Sequence, residues 1–349
     1  MTTENLSKQL IEIFLKEEDS FTDILGQLRV KSELKSALAA NRHILIIGPP
    51  GIGKTTIAKN LAKLLPEITV NDCPFNCNPN NPICPDCKSL KDQNKNPATK
   101  IISGIQRFVR VQGSPDLTAE DLIGDIDPIK ALKFGPLSME AFSPGKLFKA
   151  NSGILFFDEL NRCPEKLQNA LLQVLQERVA TIGPYDVDLE ANFIFIATMN
   201  PADSSTEPLS DVLLDRFDVT YMEYPESHNI EKSILDKHGT KFVEISEELT
   251  NIIISFVREL RESDKLERVP SVRATLGLFE RTGTNALLKG KQSADFSDVH
   301  DAIVSVLSHR IKLKPSAQYL QSPIEFIKEH LKSFMERNNL EIADKSDAG

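Results

Sequence analysis

The residues whose types and spacing are best suited to chemistry are Gly48-Pro49-Pro50-Gly51-Ile52-Gly53-Lys54-Thr55. They fit the pattern G-x-x-x-x-G-K-[ST], and that pattern handles phosphate. The glycines let backbone N–H groups approach phosphate oxygens closely, and a following helix would add its positive dipole end. Lys54 would reach the β- and γ-phosphates, and the Thr55 hydroxyl would ligate Mg²⁺. Thr56, which opens the next run, is counted with the nucleotide-binding set. An ordinary glycine turn is the bland alternative.

A second stretch narrows the chemistry. Ile154-Leu155-Phe156-Phe157 is an apolar run that ends in Asp158 and Glu159. Two acids closing a buried strand are costly unless a metal or a reaction uses them. Asp158 suits a Mg²⁺ shell, and Glu159 suits orienting and polarising an attacking water. Asn200 follows a third apolar run, Phe193 to Thr198, and is placed to reach that water or the γ-phosphate. It also reads as a turn-forming Asn before Pro201.

A third group is Cys73, Cys77, Cys84 and Cys87, spaced C-x3-C, six residues, C-x2-C. Such pairs can supply four thiolates to Zn²⁺. Four reduced thiols, or a redox pair, in a flexible loop remain equally open readings.

These groups need elements to hold them. His43 to Ile47 reads as a short buried parallel strand before the glycine loop, and Thr56 to Leu65 as an amphipathic helix after it. Asn5 to Lys16 and Val30 to Ala40 are expected helices, and the turn Phe21 to Gln27 between them has wording suited to holding adenine. Residues Asn71 to Pro97 read as an inserted loop without periodicity, and Arg107 to Gln112 as a further strand. Ser114 to Gly124 reads as loop and turn, and Ile126 to Gly145 as a small inserted hairpin. Glu165 to Arg178 is a helix, and Val179 to Leu189, with Gly183-Pro184, is a second hairpin. Val219 to Tyr224 closes the α/β part. Beyond Pro225 the pattern is helical, with an apolar stripe from Ile245 to Leu260 and further helices at Ala274 to Leu288, Phe296 to Ile311 and Ile324 to Met335. The expected organisation is an N-terminal helix (1–20), an α/β domain (21–225, with the Cys-rich insertion at 71–97), a helical domain (226–340) and a frayed tail (341–349).

The bulk numbers bound the partners. The chain has 349 residues and a formal charge of −9. Duplex DNA binding usually needs a basic footprint, so nucleic acid is not the expected partner. With 26% charged and 40% hydrophobic residues the composition is that of a globular protein. No apolar run approaches the ~18 residues of a membrane span, and the first residues lack a secretory pattern, so a cytoplasmic protein without membrane insertion is expected.

The motifs GPPGIGKT, FFDEL, ATMN and LLDRFD occur in the order of an AAA+ ATPase, and the chain resembles that family over roughly residues 20 to 312. The inserted hairpins resemble the clade of the MoxR ATPases and the I subunit of magnesium chelatase. CPFNCNPNNPICPDCKSL and FSPGKLFKANSGILFFDELN look like magnesium-chelatase I subunits, whereas LQNALLQVLQER and VPSVRAT look more like MoxR proteins. The resemblance implies a parallel sheet sandwiched by helices, with β-hairpin insertions and a C-terminal all-α lid. It implies a hexameric ring with ATP bound between subunits. It assigns Lys54 and Thr55 to phosphate and Mg²⁺, Asp158 and Glu159 to metal and water, Asn200 to the sensor on the fourth strand, Arg216 to an arginine finger and Arg273 to a second sensor. On residues alone, Arg216 also reads as a surface arginine paired with Asp215 or Asp218, and Arg273 as a surface charge at a helix start. The implied work is ATP-driven remodelling or activation of a partner protein, either in a metal chelatase or, in the MoxR manner, on a protein with a von Willebrand A domain. The alternatives are a nucleotide-dependent binding module with little turnover and, disfavoured by charge, a nucleic-acid motor.

Overall fold

In the computed structural model, five short runs of consecutive apolar residues form one parallel sheet. The strands are β1 (His43–Ile47), β2 (Phe108–Gln112), β3 (Ile154–Asp158), β4 (Ile194–Met199) and β5 (Phe217–Tyr221). Their order across the sheet is β5-β1-β4-β3-β2, and every neighbouring pair is parallel. Ile44 to Ile47, Ile154 to Phe157 and Ile194 to Ala197 are all buried, as expected of strands covered on both faces. The structure describes residues 3–16, 19–136, 138–182, 187–201 and 209–341. Gly183-Pro184 and all of the expected tail beyond residue 341 lie outside them.

By its contacts the chain divides into two units. One comprises Met1–Gly48 and Gly53–Met222, the other Pro49–Ile52 and Glu223–Gly349. In the first unit, helices Leu28–Ala39, Lys54–Leu64 and Glu165–Glu177 flank the sheet, and Thr3–Lys16 packs on Leu28–Ala39. The last buries Leu167, Leu171, Val174 and Leu175 in the sheet's core.

Three inserted segments differ from the sequence expectation. Residues 71–97 are not a structureless loop. Ile68–Asn71 pairs antiparallel with Thr99–Ile102, and Pro85–Asp92 is a helix. The helix's one buried residue is Cys87, with Cys84 as its N-cap, so a small apolar thiol stands there and no ordinary hydrophobic period can be read. Ser114 to Gly124 is not all loop, because Ala119–Ile123 is a helical turn started by a capping box between Thr118 and Asp121. The hairpin expected between Ile126 and Gly145 is a ribbon, Gly124–Ile126 on Phe142–Pro144, with helix Pro128–Phe134 between its strands. The second hairpin is present as Val179–Ile182 paired with Val187–Glu190.

The second unit is helical: His228–His238, Glu247–Arg261, Val272–Leu288, Phe296–Leu307 and Pro323–Asn338 surround a core that includes Ile253, Phe256, Val257, Phe279 and Ile327. A small ribbon, Leu266–Arg268 with Lys312–Leu313, is added to the helices. The helix expected to run to Ile311 ends at Leu307 and tightens into a 3₁₀ turn, Ser308–Arg310. Helix His228–His238 escapes a sequence reading because Glu231 is fully buried on its apolar face.

Candidate functional site

Parallel strands bring their carboxyl ends to one edge of the sheet, where α/β proteins bind ligands. The glycine loop leaves β1 at that edge, with the Gly48 amide donating to the Met199 carbonyl at the end of β4 (3.2 Å). The helix Lys54–Leu64 starts directly on Gly53, whose φ of 102° suits glycine. A Cβ on Gly53 would lie 3.2 Å from Ile24 Cδ1, so the Phe21–Gln27 turn packs beside the loop. Lys54 Nζ donates to the Gly48 carbonyl at 2.5 Å. Lysine, threonine and helix amides thus converge at the turn where a phosphate chain would lie.

The acid pair is held by groups from the two strands beside its own. Asp158 is at the end of β3, and its side chain is only 14% exposed. The Thr198 hydroxyl on β4 donates to Asp158 Oδ1 (2.7 Å) and accepts the Glu159 amide (3.0 Å). Thr55 Oγ1 lies 3.4 Å from Asp158 Oδ2, and Arg110 Nη2 contacts that same oxygen at 2.6 Å. Glu159 has a positive φ of 57°, a strained setting for a residue with a side chain. Gly113 makes it possible: a Cβ there would sit 2.0 Å from the Glu159 carbonyl. Gln112 Nε2 donates to Glu159 Oε2 at 2.8 Å, and Arg162 Nη1 lies 3.1 Å from the same oxygen.

The structure therefore brings together Lys54, Thr55, Asp158 and Glu159. Asn200 is half-buried directly after β4, and its carbonyl accepts from Asn161 Nδ2 at 3.5 Å. Arg216 is not part of the acid cluster of its own chain. It pairs with Asp215 (3.0 Å) and donates to Gln176 (3.0 Å), while Asp218 pairs with Arg42. Arg273 is exposed in the first turn of helix Val272–Leu288, in the second unit. Sequence reasoning missed Thr198, Gln112, Arg110 and Arg162. Its one available signal was a polar threonine at the buried end of an apolar strand.

The four cysteines of the insertion do converge. Their sulfurs all lie within 4.8 Å of one another, and the five cysteines of the chain are free thiols. Hydrogen bonds from Cys77 and Cys84 pull the Cys73 thiol well below its ordinary range. The bond with Cys73 raises Cys77 and Cys84, and burial raises Cys87.

Among the described residues no helix is long and apolar enough to cross a membrane.

The chain is similar to known proteins over most of its length. A model of the ATPase family associated with various cellular activities (AAA) matches residues 95–219. A model of magnesium chelatase, subunit ChlI, matches residues 20–84, and an AAA lid domain model matches residues 259–329. The magnesium-chelatase subunit ChlI homolog of Methanocaldococcus jannaschii is 29% identical, over 91% of this chain and 92% of that protein. ChlI of a Synechocystis species is 29% identical, over 84% of this chain and 88% of that protein. A chain from the complex between subunits BchI and BchD of magnesium chelatase, based on a single-particle cryo-EM reconstruction, is 22% identical with a TM-score of 0.47, covering 86% of this chain and 98% of its own. With its phosphate loop, acid pair and strand order in place, the chain carries AAA+ ATPase and AAA lid domains and is similar over most of its length to the ChlI subunits of magnesium chelatase.

Proposed function

We propose that this chain is an ATP-hydrolysing motor subunit that works in a ring, hexameric by family likeness, and remodels or activates a partner protein. The observation that carries the reading is the junction of Thr55 with Asp158, 3.4 Å apart, with Glu159 next in the chain. A hydroxyl and a carboxylate are the hard oxygen donors that Mg²⁺ prefers, so the residues present fit the ion. When bound with ATP, Mg²⁺ neutralises charge that builds on the phosphates. Lys54 and the loop amides orient the phosphate chain, and Thr198 fixes Asp158 from behind. Glu159 accepts a proton from the water that attacks the γ-phosphorus. Asn200 aligns that water, and Arg273 serves as the second sensor. Arg216, engaged with Asp215 and Gln176 in its own chain, acts on a neighbouring subunit's nucleotide.

The relatives are named magnesium-chelatase subunits, so the favoured partner is another subunit of a metal chelatase. A partner with a von Willebrand A domain is the MoxR-like variant. One observation favours a second reading, a nucleotide-dependent binding module with slow turnover: Arg110 holds Asp158, and Gln112 and Arg162 hold Glu159.

Steady-state phosphate release tests the motor reading, and mixing tests the shared site. Lys54→Ala should lose ATP binding, and Arg216→Ala should keep binding but lose hydrolysis. Mixed together they should regain activity, because a Lys54→Ala subunit still offers Arg216 to an intact neighbour. Mixed rings that stay inactive would overturn the trans role, and normal ATP affinity in folded Lys54→Ala would overturn the site.

A further inference from the structure

The insertion between Ile68 and Ile102 has little apolar material of its own, yet Cys77, Cys84 and Cys87 are buried and Cys73 is partly so. Two thiols come from the turn after Ile68–Asn71. The other two come from the N-cap and first turn of helix Pro85–Asp92. A zinc ion with Zn–S distances of about 2.3 Å sets its four sulfurs roughly 3.8 Å apart. The observed 4.8 Å limit is a modest expansion of that tetrahedron.

The surroundings are arranged for sulfur anions. The Cys77 amide points to Cys73 Sγ (3.3 Å), the Ile83 and Cys84 amides to Cys77 Sγ (3.4 Å each), and the Cys87 amide to Cys84 Sγ (3.4 Å). Amide donors to ligand sulfurs are what the outer shell of a metal–thiolate site supplies. Asn71 gives an independent pointer. It is fully buried with its side chain against Cys87, and its amide oxygen has no hydrogen-bond partner among the described residues. A polar group left so within a sulfur cluster fits a neighbour that carries charge.

A redox pair explains less. It needs two accessible thiols, whereas this cluster gathers four and buries three. We infer that Cys73, Cys77, Cys84 and Cys87 form a closed tetrathiolate site for a structural zinc ion, separate from the nucleotide site. The ion closes the insertion on itself, and Phe75 seats it by meeting the rings of Phe142 and Phe148 with centroids 6.4 and 5.5 Å away.

Elemental analysis of the full chain, purified without chelator or added metal, tests this directly. About one zinc per chain is expected. After stripping under reducing conditions, Co²⁺ should restore a thiolate-to-cobalt charge-transfer band that saturates at about one equivalent and that a Mg²⁺ site cannot produce. Cys84→Ser with Cys87→Ser should lose both signals. Cys163→Ser should keep both, because that buried thiol lies outside the cluster. Stripping should also open the exposed Lys88, Lys91 and Lys95 to trypsin. The wild-type measurements stand even if the double variant does not fold. A folded, reduced wild-type chain that carries no zinc and develops no cobalt band would overturn the site, as would a disulfide among these four cysteines in the purified protein.

Discussion

Two clusters in this chain pair carboxylates with arginines, and they differ in what the carboxylates can reach. In the helical unit, Glu231 is 0% exposed, and both of its oxygens are taken by Arg261 at 2.7 Å, with Thr275 at 2.6 Å and Arg258 at 3.4 Å. Burial alone would raise its pKa, but the bonds and charge of Arg261 outweigh burial and hold it below the usual carboxylate range. At the sheet edge, Asp158 and Glu159 have arginine partners that are themselves partly exposed, and Asp158 Oδ2 faces both Arg110 and Thr55. The closed cluster holds its helices together. The open one leaves an oxygen that can change partners, which is what a site of chemistry requires.

The largest effect should come from breaking the closed cluster. Glu231→Gln leaves Arg261 charged and buried without its counter-ion, and should destabilise the helical unit by about 3–5 kcal/mol. Hydrogen exchange in helix Glu247–Arg261 measures this. The pH dependence has a fixed sign. Glu231's pKa is depressed in the folded chain, so the pair's contribution is full above the ordinary value of 4.5 and fades as pH falls below it. The gap between wild type and Glu231→Gln should therefore be constant above that pH and narrow below it. A gap that widened on acidification would contradict the ion-paired assignment.

A smaller effect is expected at the open cluster. Arg110 is half-exposed, so its bond to Asp158 is worth at most about 1 kcal/mol, roughly a fivefold change in an equilibrium. Because Arg110 uses the oxygen that Thr55 faces, Arg110→Gln should lower the Mg²⁺ concentration for half-maximal ATPase activity by up to about that factor. A higher Mg²⁺ requirement would show that Arg110 supports the metal rather than competing with it.

The difference between the clusters also marks what was legible in the sequence. The phosphate loop and the acid pair are contiguous, and each follows an apolar strand, so both could be read directly. Thr198, Gln112 and Arg110 join the acids only through the register of parallel strands, such as Gln112 opposite Asp158, and register leaves no local trace. Arg162 reaches Glu159 because a 3₁₀ turn follows the acid pair. In the insertion, the cysteine spacing was readable but its helix was not, since its one buried position is Cys87 rather than an aliphatic residue. Glu231 broke an apolar face in the same way and concealed its helix.

The central claim is that the open cluster hydrolyses ATP, and phosphate release by Glu159→Gln with ATP binding measured alongside tests it most directly. The substitution keeps the side chain's shape, so Gln112 and Arg162 retain an oxygen to contact. Binding should stay within a few-fold of wild type, while turnover should fall by about 10²-fold or more, as when a positioned base is removed. Turnover near the wild-type rate in a folded, ATP-binding Glu159→Gln chain would contradict the account and place the base elsewhere.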